Sequence, residues 1–200
     1  MAYSALEEQY GRKFYEQDAL LENTNFKEVI IFRQQQDEIP PRNLITMTLR
    51  NHAGTELLSW PGTKVVMRDS QIKAVKTFGE CQLSHASIGY LSVLRSGVVW
   101  IDKDCVIDRL TTTGTVYIEN IESIKREISL FVGGRLCINI SENEHAVIAY
   151  LRDHLTRWKS DKGDSTCEPS RKFSYTYFPF KQKYEFTSIL EQHGRVWVTS

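Results

Sequence analysis

Acidic side chains cluster at one point of the sequence, where their spacing resembles the start of a calcium loop. Asp102, Asp104 and Asp108 lie close together, with Lys103 between the first two. An EF-hand loop would need a glycine at its sixth position and a glutamate at its twelfth. Ile107 and Gly114 do not follow that scheme. We therefore expect a solvated hairpin tip here, and no metal site.

The five histidines are dispersed along the chain and do not form part of a recognised nucleophile motif. They are His52, His85, His145, His154 and His193. The segment Gly133-Gly134-Arg135 lacks the glycine spacing and the following helix that phosphate binding requires, so it predicts a turn. These patterns predict no catalytic and no cofactor-binding residue, and a protein that is not an enzyme.

The four cysteines, Cys81, Cys105, Cys137 and Cys167, contain no CxxC pair, which argues against structural zinc. The first residues do not have the apolar core of a signal peptide, so we expect reduced thiols in a cytoplasmic setting. The 25 basic and 25 acidic side chains cancel, which disfavours nucleic acid as a partner. Apolar runs are strand-sized, so any membrane role must be peripheral.

Period-two alternation predicts a mainly β chain with short strands separated by glycine and proline. Asn51-His52-Ala53-Gly54 is interpreted as a hairpin turn and Pro61-Gly62 as the next turn. No internal repeat is evident, and the regular spacing favours an antiparallel barrel or sandwich. The predicted strands are residues 26–32, 44–50, 56–60, 64–67, 72–78, 87–94, 98–101, 115–118, 124–131, 135–140 and 173–177.

Two segments differ from this strand pattern. Residues 1–22 predict an N-terminal amphipathic helix or arm, which precedes a single domain over residues 23–200. Residues 141–158 carry a capping-box pattern at Ser141 and Glu144 with apolar residues at helical spacing, which favours a helix. The run 146–151 is equally compatible with a strand that is buried on both faces.

Several short motifs, in order along residues 20–190, resemble the phospholipid scramblase branch of the tubby-like fold. The motifs are Phe26-Lys27-Glu28-Val29-Ile30, residues 44–56, Ile88-Gly89-Tyr90-Leu91, Val99-Trp100-Ile101-Asp102, residues 147–154 and residues 173–179. The resemblance implies a closed antiparallel β-barrel around a central C-terminal helix, with residues 147–154 as a strand. It also implies movement of phospholipids between leaflets, at a phospholipid membrane surface on the cytoplasmic side of the plasma membrane.

The chain departs from that family at two points. The family's calcium segment corresponds to Phe180-Lys181-Gln182-Lys183-Tyr184-Glu185, which is net basic here and unsuited to a divalent cation. The family's central helix is a long apolar run, whereas residues 184–200 include Glu185, Glu191 and Arg195. Calcium is therefore implied by the resemblance alone, and scrambling activity is expected to be degenerate.

An alternative interpretation is a soluble β-rich interaction or lipid-binding module with protein partners and without scrambling activity. It would be a PH-like domain or a viral accessory protein. In that version residues 141–158 form a helix that closes a smaller barrel, and residues 159–200 are an appendage.

Overall fold

The computed structural model describes residues 11–34, 44–131, 134–139, 150, 154–157, 173–178, 183–188 and 194–199. These residues form two β-sheets. Sheet A contains, in spatial order, β1 (Arg12–Tyr15), β3 (Asn25–Phe32), β5 (Ala53–Ser59), β7 (Gln71–Thr77), β9 (Ser87–Val93), β11 (Val106–Thr112), β13 (Ile124–Leu130) and β15 (Leu155–Arg157).

Sheet B has ten strands, and its last three neighbours in space run in reverse chain order. It contains β2 (Ala19–Glu22), β4 (Ile45–Arg50), β6 (Thr63–Arg68), β8 (Glu80–Ser84), β10 (Val98–Ile101), β12 (Thr115–Ile118), β14 (Gly134–Asn139), β18 (Gly194–Thr199), β17 (Lys183–Ser188) and β16 (Phe173–Phe178). A 3-10 turn, Ile121–Ser123, precedes β13.

From β1 to β15 the described strands alternate between the sheets, and each pairs in parallel with the strand two positions along the chain. The chain therefore winds as a β-solenoid. Residue Gly54 lies opposite Ile72, then Ile88, Ile107 and Ile124, so each of these four turns of the coil takes 16 to 19 residues. The coil is an internal structural repeat, which the sequence analysis did not detect.

The predicted closed antiparallel tubby-like barrel is wrong, and so is the smaller PH-like barrel. Both assumed that strands joined by short turns pair with each other, as in a hairpin. A parallel pair instead needs a connection of a dozen or more residues. Here each connection consists of a strand of the opposite sheet and two corners. Asn51 and His52 form one such corner, because β4 and β5 belong to different sheets, while Ala53 and Gly54 already lie on β5. The predicted hairpin turn Asn51-His52-Ala53-Gly54 is therefore not formed.

The central C-terminal helix is also contradicted. Residues 184–200 were expected to supply it, but β17 and β18 occupy most of that segment. β18 pairs in parallel with β14, and β17 and β16 then add antiparallel strands. Glu185 and Arg195 therefore lie on strands of sheet B and not on a helix inside a barrel, and Glu191 lies outside the described residues.

Most predicted strands are confirmed, with bounds shifted by one or a few residues. Four strands of the coil were missed, namely β1, β2, β8 and β11. At the N-terminus, β1 and β2 are strands, so the helical interpretation is wrong for those residues, and residues 1–10 lie outside the described part. β15 is a strand within the ambiguous segment 141–158, most of which lies outside the described residues.

The core lies between the two sheets and is built from rows of residues that stack along the coil. One row contains Ile72, Ile88, Ile107 and Ile124, all buried. In the preceding turn this row holds Gly54, and a Cβ atom there would lie 2.8 Å from Nε2 of His52. The imidazole of His52 therefore takes the space that an isoleucine side chain fills in the following turns.

Asparagine, aspartate and histidine recur at the corner that leads from sheet B to sheet A. Asn23, Asn51, Asp69 and His85 have φ angles of 51°, 46°, 48° and 49°, in the left-handed region. Asparagine and aspartate tolerate this region better than most residues, and histidine is also enriched there. The corner amides bond along the coil: the N–H of Asn51 donates to the carbonyl of Arg68 at 3.1 Å. Asn51 Nδ2 also donates to Oδ1 of Asn23 at 2.6 Å.

Among the described residues, no helix is long and apolar enough to cross a membrane.

Candidate functional site

Two aromatic side chains lie next to each other on the outer face of sheet B. Trp100 of β10 pairs in register with Tyr117 of β12, and the strand neighbours of both point into the core. The side chains remain 37% and 41% exposed. Their ring centroids are 5.7 Å apart and their planes differ by 8°. Parallel rings at this distance are offset, so each leaves part of a face uncovered.

The same outward row continues on both sides of this pair. Gln82 of β8 is aligned with Trp100, Val66 of β6 with Gln82, and Cys137 of β14 with Tyr117. We call Gln82, Trp100 and Tyr117 the aromatic row. The row forms the floor of an open groove of about 530 Å³ that crosses the outer face of sheet B. The groove follows the coil axis, because each member of the row comes from a successive turn.

Charged and polar side chains border the groove where the strands end. They are Arg68, Ser84, Asp102 and Glu119. Oγ of Ser84 donates to Oδ2 of Asp102 at 3.0 Å, and the N–H of Lys103 donates to Oε2 of Glu119 at 3.4 Å. These contacts fix the direction of the two carboxylates. The border therefore offers a guanidinium as donor and two carboxylates as acceptors.

Residues 102–105 of the acidic segment form a corner of the coil and Asp108 lies on β11, so the predicted hairpin tip is not formed, although Lys103 and Asp104 are solvated as expected. Its ion pairs are exposed: Nε2 of His85 lies 3.6 Å from Oδ2 of Asp104. One ligand atom each from His85, Asp102 and Asp104 lies within 4.8 Å of the others. Asp102 already accepts hydrogen bonds from Ser84 and, at 3.4 Å, from the N–H of Asp104. We assign no metal to this corner.

His52 is the one described histidine with a buried ring. His52 is 1% exposed, and its Nδ1 lies 2.7 Å from Oγ1 of Thr24. The imidazole ring packs edge to face against the ring of Phe26. Nε2 has no hydrogen-bond partner among the described residues. Burial lowers the pKa of His52, because the charged ring would lose its hydration. Among the described residues no carboxylate pairs with the ring, so His52 serves to pack the core.

The remaining histidines do not assemble a catalytic group in the part of the chain that the structure describes. The ring of His154 stacks on Tyr150, with centroids 3.8 Å apart. His145 and His193 lie outside the described residues. Gly134 and Arg135 are the first residues of β14, so they do not form the predicted turn, and Gly133 lies outside the described residues.

Cys81 and Cys105 are free thiols buried in the core. Burial, and to a lesser degree the neighbouring Cys105, raises the pKa of Cys81 to about 12. Burial likewise raises the pKa of Cys105. A thiol reacts as the thiolate, so these two are poor nucleophiles.

The aromatic row was missed by the sequence analysis, although both of its aromatic residues were placed on predicted strands. Trp100 and Tyr117 become neighbours only when strands pair two positions apart along the chain. The antiparallel interpretation did not allow that pairing.

No family model, curated protein or solved structure matches this chain. The resemblance to phospholipid scramblases stays a prediction, but the barrel that it implied is not formed.

Proposed function

We propose that this chain is a binding module that recognises a neutral glycan along the outer face of sheet B. The observation that carries the proposal is the exposed, register-aligned pair Trp100 and Tyr117 at the floor of a polar-edged groove. Exposed aromatic side chains side by side on a sheet expose apolar surface that a partner can cover.

A sugar ring fits both parts of this surface. Its faces carry C–H groups that pack against the uncovered faces of aromatic rings, whose π-systems are electron-rich. Its hydroxyl groups both donate and accept hydrogen bonds. Arg68 and Gln82 supply donors, while Asp102, Glu119 and the Gln82 carbonyl supply acceptors. A mixed set of this kind at the edge of an apolar floor fixes the orientation of a small ligand.

The charges beside the aromatic row favour a neutral ligand. A nucleic acid would also stack on aromatic rings, but its phosphates would meet Asp102 and Glu119, and the chain has no net positive charge. Adjacent strands of a sheet lie about 4.8 Å apart, and the row runs along the coil. An oligosaccharide laid along the groove would therefore contact consecutive turns.

The test is binding of the purified chain to a panel of neutral polysaccharides, measured by affinity electrophoresis and then by calorimetry with oligosaccharides. We expect Trp100→Ala and Tyr117→Ala each to weaken binding about tenfold, as expected for a central aromatic contact. The matched control is Phe14→Ala, which removes an exposed aromatic ring from sheet A. Absence of binding to every member of the panel, or equal binding by W100A, would contradict the proposal.

A further inference from the structure

A second open groove, of about 380 Å³, crosses the first turns of sheet A. Its side chains come from β3, β5 and β7. We call it the lysine groove, after Lys27 and Lys73. The donors around them are Asn25, Gln71 and Thr55, and its described lining contains no carboxylate.

Strand register places the two lysines on opposite sides of Thr55. Gly54 lies opposite Ile72 and Glu56 opposite Ala74, so Lys73 neighbours Thr55 on one side. On the other side the register between β3 and β5 shifts after Phe26, and Lys27 lies in this irregularity. β3 and β7 lie on either side of β5 and are therefore about 10 Å apart. The side chains of Lys27 and Lys73 can reach across this distance from the two sides. Bulges of this kind often redirect a side chain beside a site.

A third cation lies at the edge of the lysine groove. Nζ of Lys13 is 4.2 Å from the ring centroid of Phe26, and that ring also lines the groove. Among the described residues, no carboxylate forms an ion pair with the ammonium groups of Lys13, Lys27 and Lys73. Two other cations of sheet A are paired, Lys76 with Glu56 at 2.7 Å and Arg126 with Asp108 at 2.9 Å. The lysine groove therefore has positive charge that its own surroundings do not neutralise.

We infer that the lysine groove binds a phosphate group. Phosphate oxygens accept hydrogen bonds and carry negative charge, and the groove supplies lysine ammonium groups, side-chain amides and a hydroxyl as donors. Thr55 is nearly buried at the floor, where its hydroxyl meets a group that enters between the lysines. This site lies on sheet A and is independent of glycan binding on sheet B. Its phosphate can come from a soluble phosphate compound or from the headgroup of an anionic phospholipid.

The experiment is a titration of isotope-labelled, full-length chain with pyrophosphate, followed by amide chemical shifts. We expect shifts at Gly54, Thr55 and Lys73, and a dissociation constant that rises with salt concentration. The double variant K27A/K73A should weaken binding at least about tenfold, which corresponds to loss of two charge-assisted contacts. The control K103A/K125A removes two exposed lysines elsewhere and should bind as the wild type does.

A second arm identifies the source of the phosphate. The chain is sedimented with phosphatidylcholine vesicles that contain phosphatidic acid, and with phosphatidylcholine vesicles alone. Sedimentation with the acidic vesicles only, lost in K27A/K73A, identifies a lipid headgroup. Pyrophosphate binding without sedimentation identifies a soluble phosphate compound. Either result supports the inference.

The inference is overturned if saturating pyrophosphate shifts no amide in the lysine groove, or if K103A/K125A weakens binding as much as K27A/K73A. Trp100→Ala must keep full phosphate binding. Failure of glycan binding with intact phosphate binding would therefore remove the proposed function and leave this site.

Discussion

His52 illustrates how a single buried side chain links the core to pH. Its ring occupies a space that the next turns fill with isoleucine, and it is neutral there because burial lowers its pKa. In the unfolded chain the same residue titrates near its ordinary value of 6.5. Between the folded and unfolded pKa values the unfolded state binds more protons, so the free energy of unfolding rises with pH in that window.

We expect His52 to contribute fully to the free energy of unfolding above about pH 6.5. As the pH falls below this value, the free energy of unfolding should decrease by up to about 1.4 kcal/mol per pH unit. Urea unfolding between pH 5 and 8 measures this slope. His52→Gln should flatten the slope at lower absolute stability. His85→Gln replaces an exposed histidine and should leave the slope of the free energy of unfolding against pH unchanged. An equal slope in H52Q and the wild type would contradict this assignment.

At the scale of the strands, the isoleucine row is interrupted where β5 carries Gly54. The neighbouring turn solves the same packing problem with Ser70 and Ile72, which occupy the places of His52 and Gly54. The pair His52 and Gly54 should be replaceable by serine and isoleucine only when both residues are changed together. A side chain at residue 54 collides with the imidazole, while loss of the imidazole alone leaves a cavity.

We expect Gly54→Ile and His52→Ser each to destabilise the chain by about 1–3 kcal/mol. The double variant H52S/G54I should be more stable than the sum of the two losses predicts, by at least about 1 kcal/mol. Equilibrium denaturation of the four proteins measures this coupling. Strict additivity would show that the two side chains do not share one space.

Strand positions could be predicted from the sequence because alternation of apolar and polar residues is a local property. Residues 98–101 and 115–118 were placed with their observed bounds. Pairing could not be predicted, because a corner between two sheets and a hairpin turn use the same glycine, asparagine and proline residues. One signal was available: Asn51, Asp69 and His85 recur at intervals close to one turn, each at a corner with positive φ.

At the scale of the whole molecule, the stability of each turn of the coil depends mainly on its contacts with the two adjacent turns. Each turn contacts the turns before and after it, and the described sheets begin with the edge strands β1 and β2. In such repeat architectures, terminal units open more readily than central ones. The fold therefore need not unfold as one unit.

Hydrogen exchange should show this gradient. We expect backbone amides of β7, β9 and β10 to exchange at least about a hundredfold more slowly than those of β1 and β2, because opening a central turn breaks contacts on both sides. Mass spectrometry of peptic fragments measures the difference. Uniform protection over all these strands would indicate a single cooperative unit instead.

The register between Trp100 and Tyr117 also fixes a distance along any bound polymer. Seventeen residues separate them, yet through space they are one strand spacing apart. Insertions of a few residues at a corner would bulge outward and leave this spacing unchanged, whereas insertion of a whole turn between them would double it. In related chains, the distance between the two aromatic rings would therefore change only when a whole turn is inserted or lost. Insertions of a few residues at a corner would leave that distance, and the spacing of ligand units that it matches, unchanged.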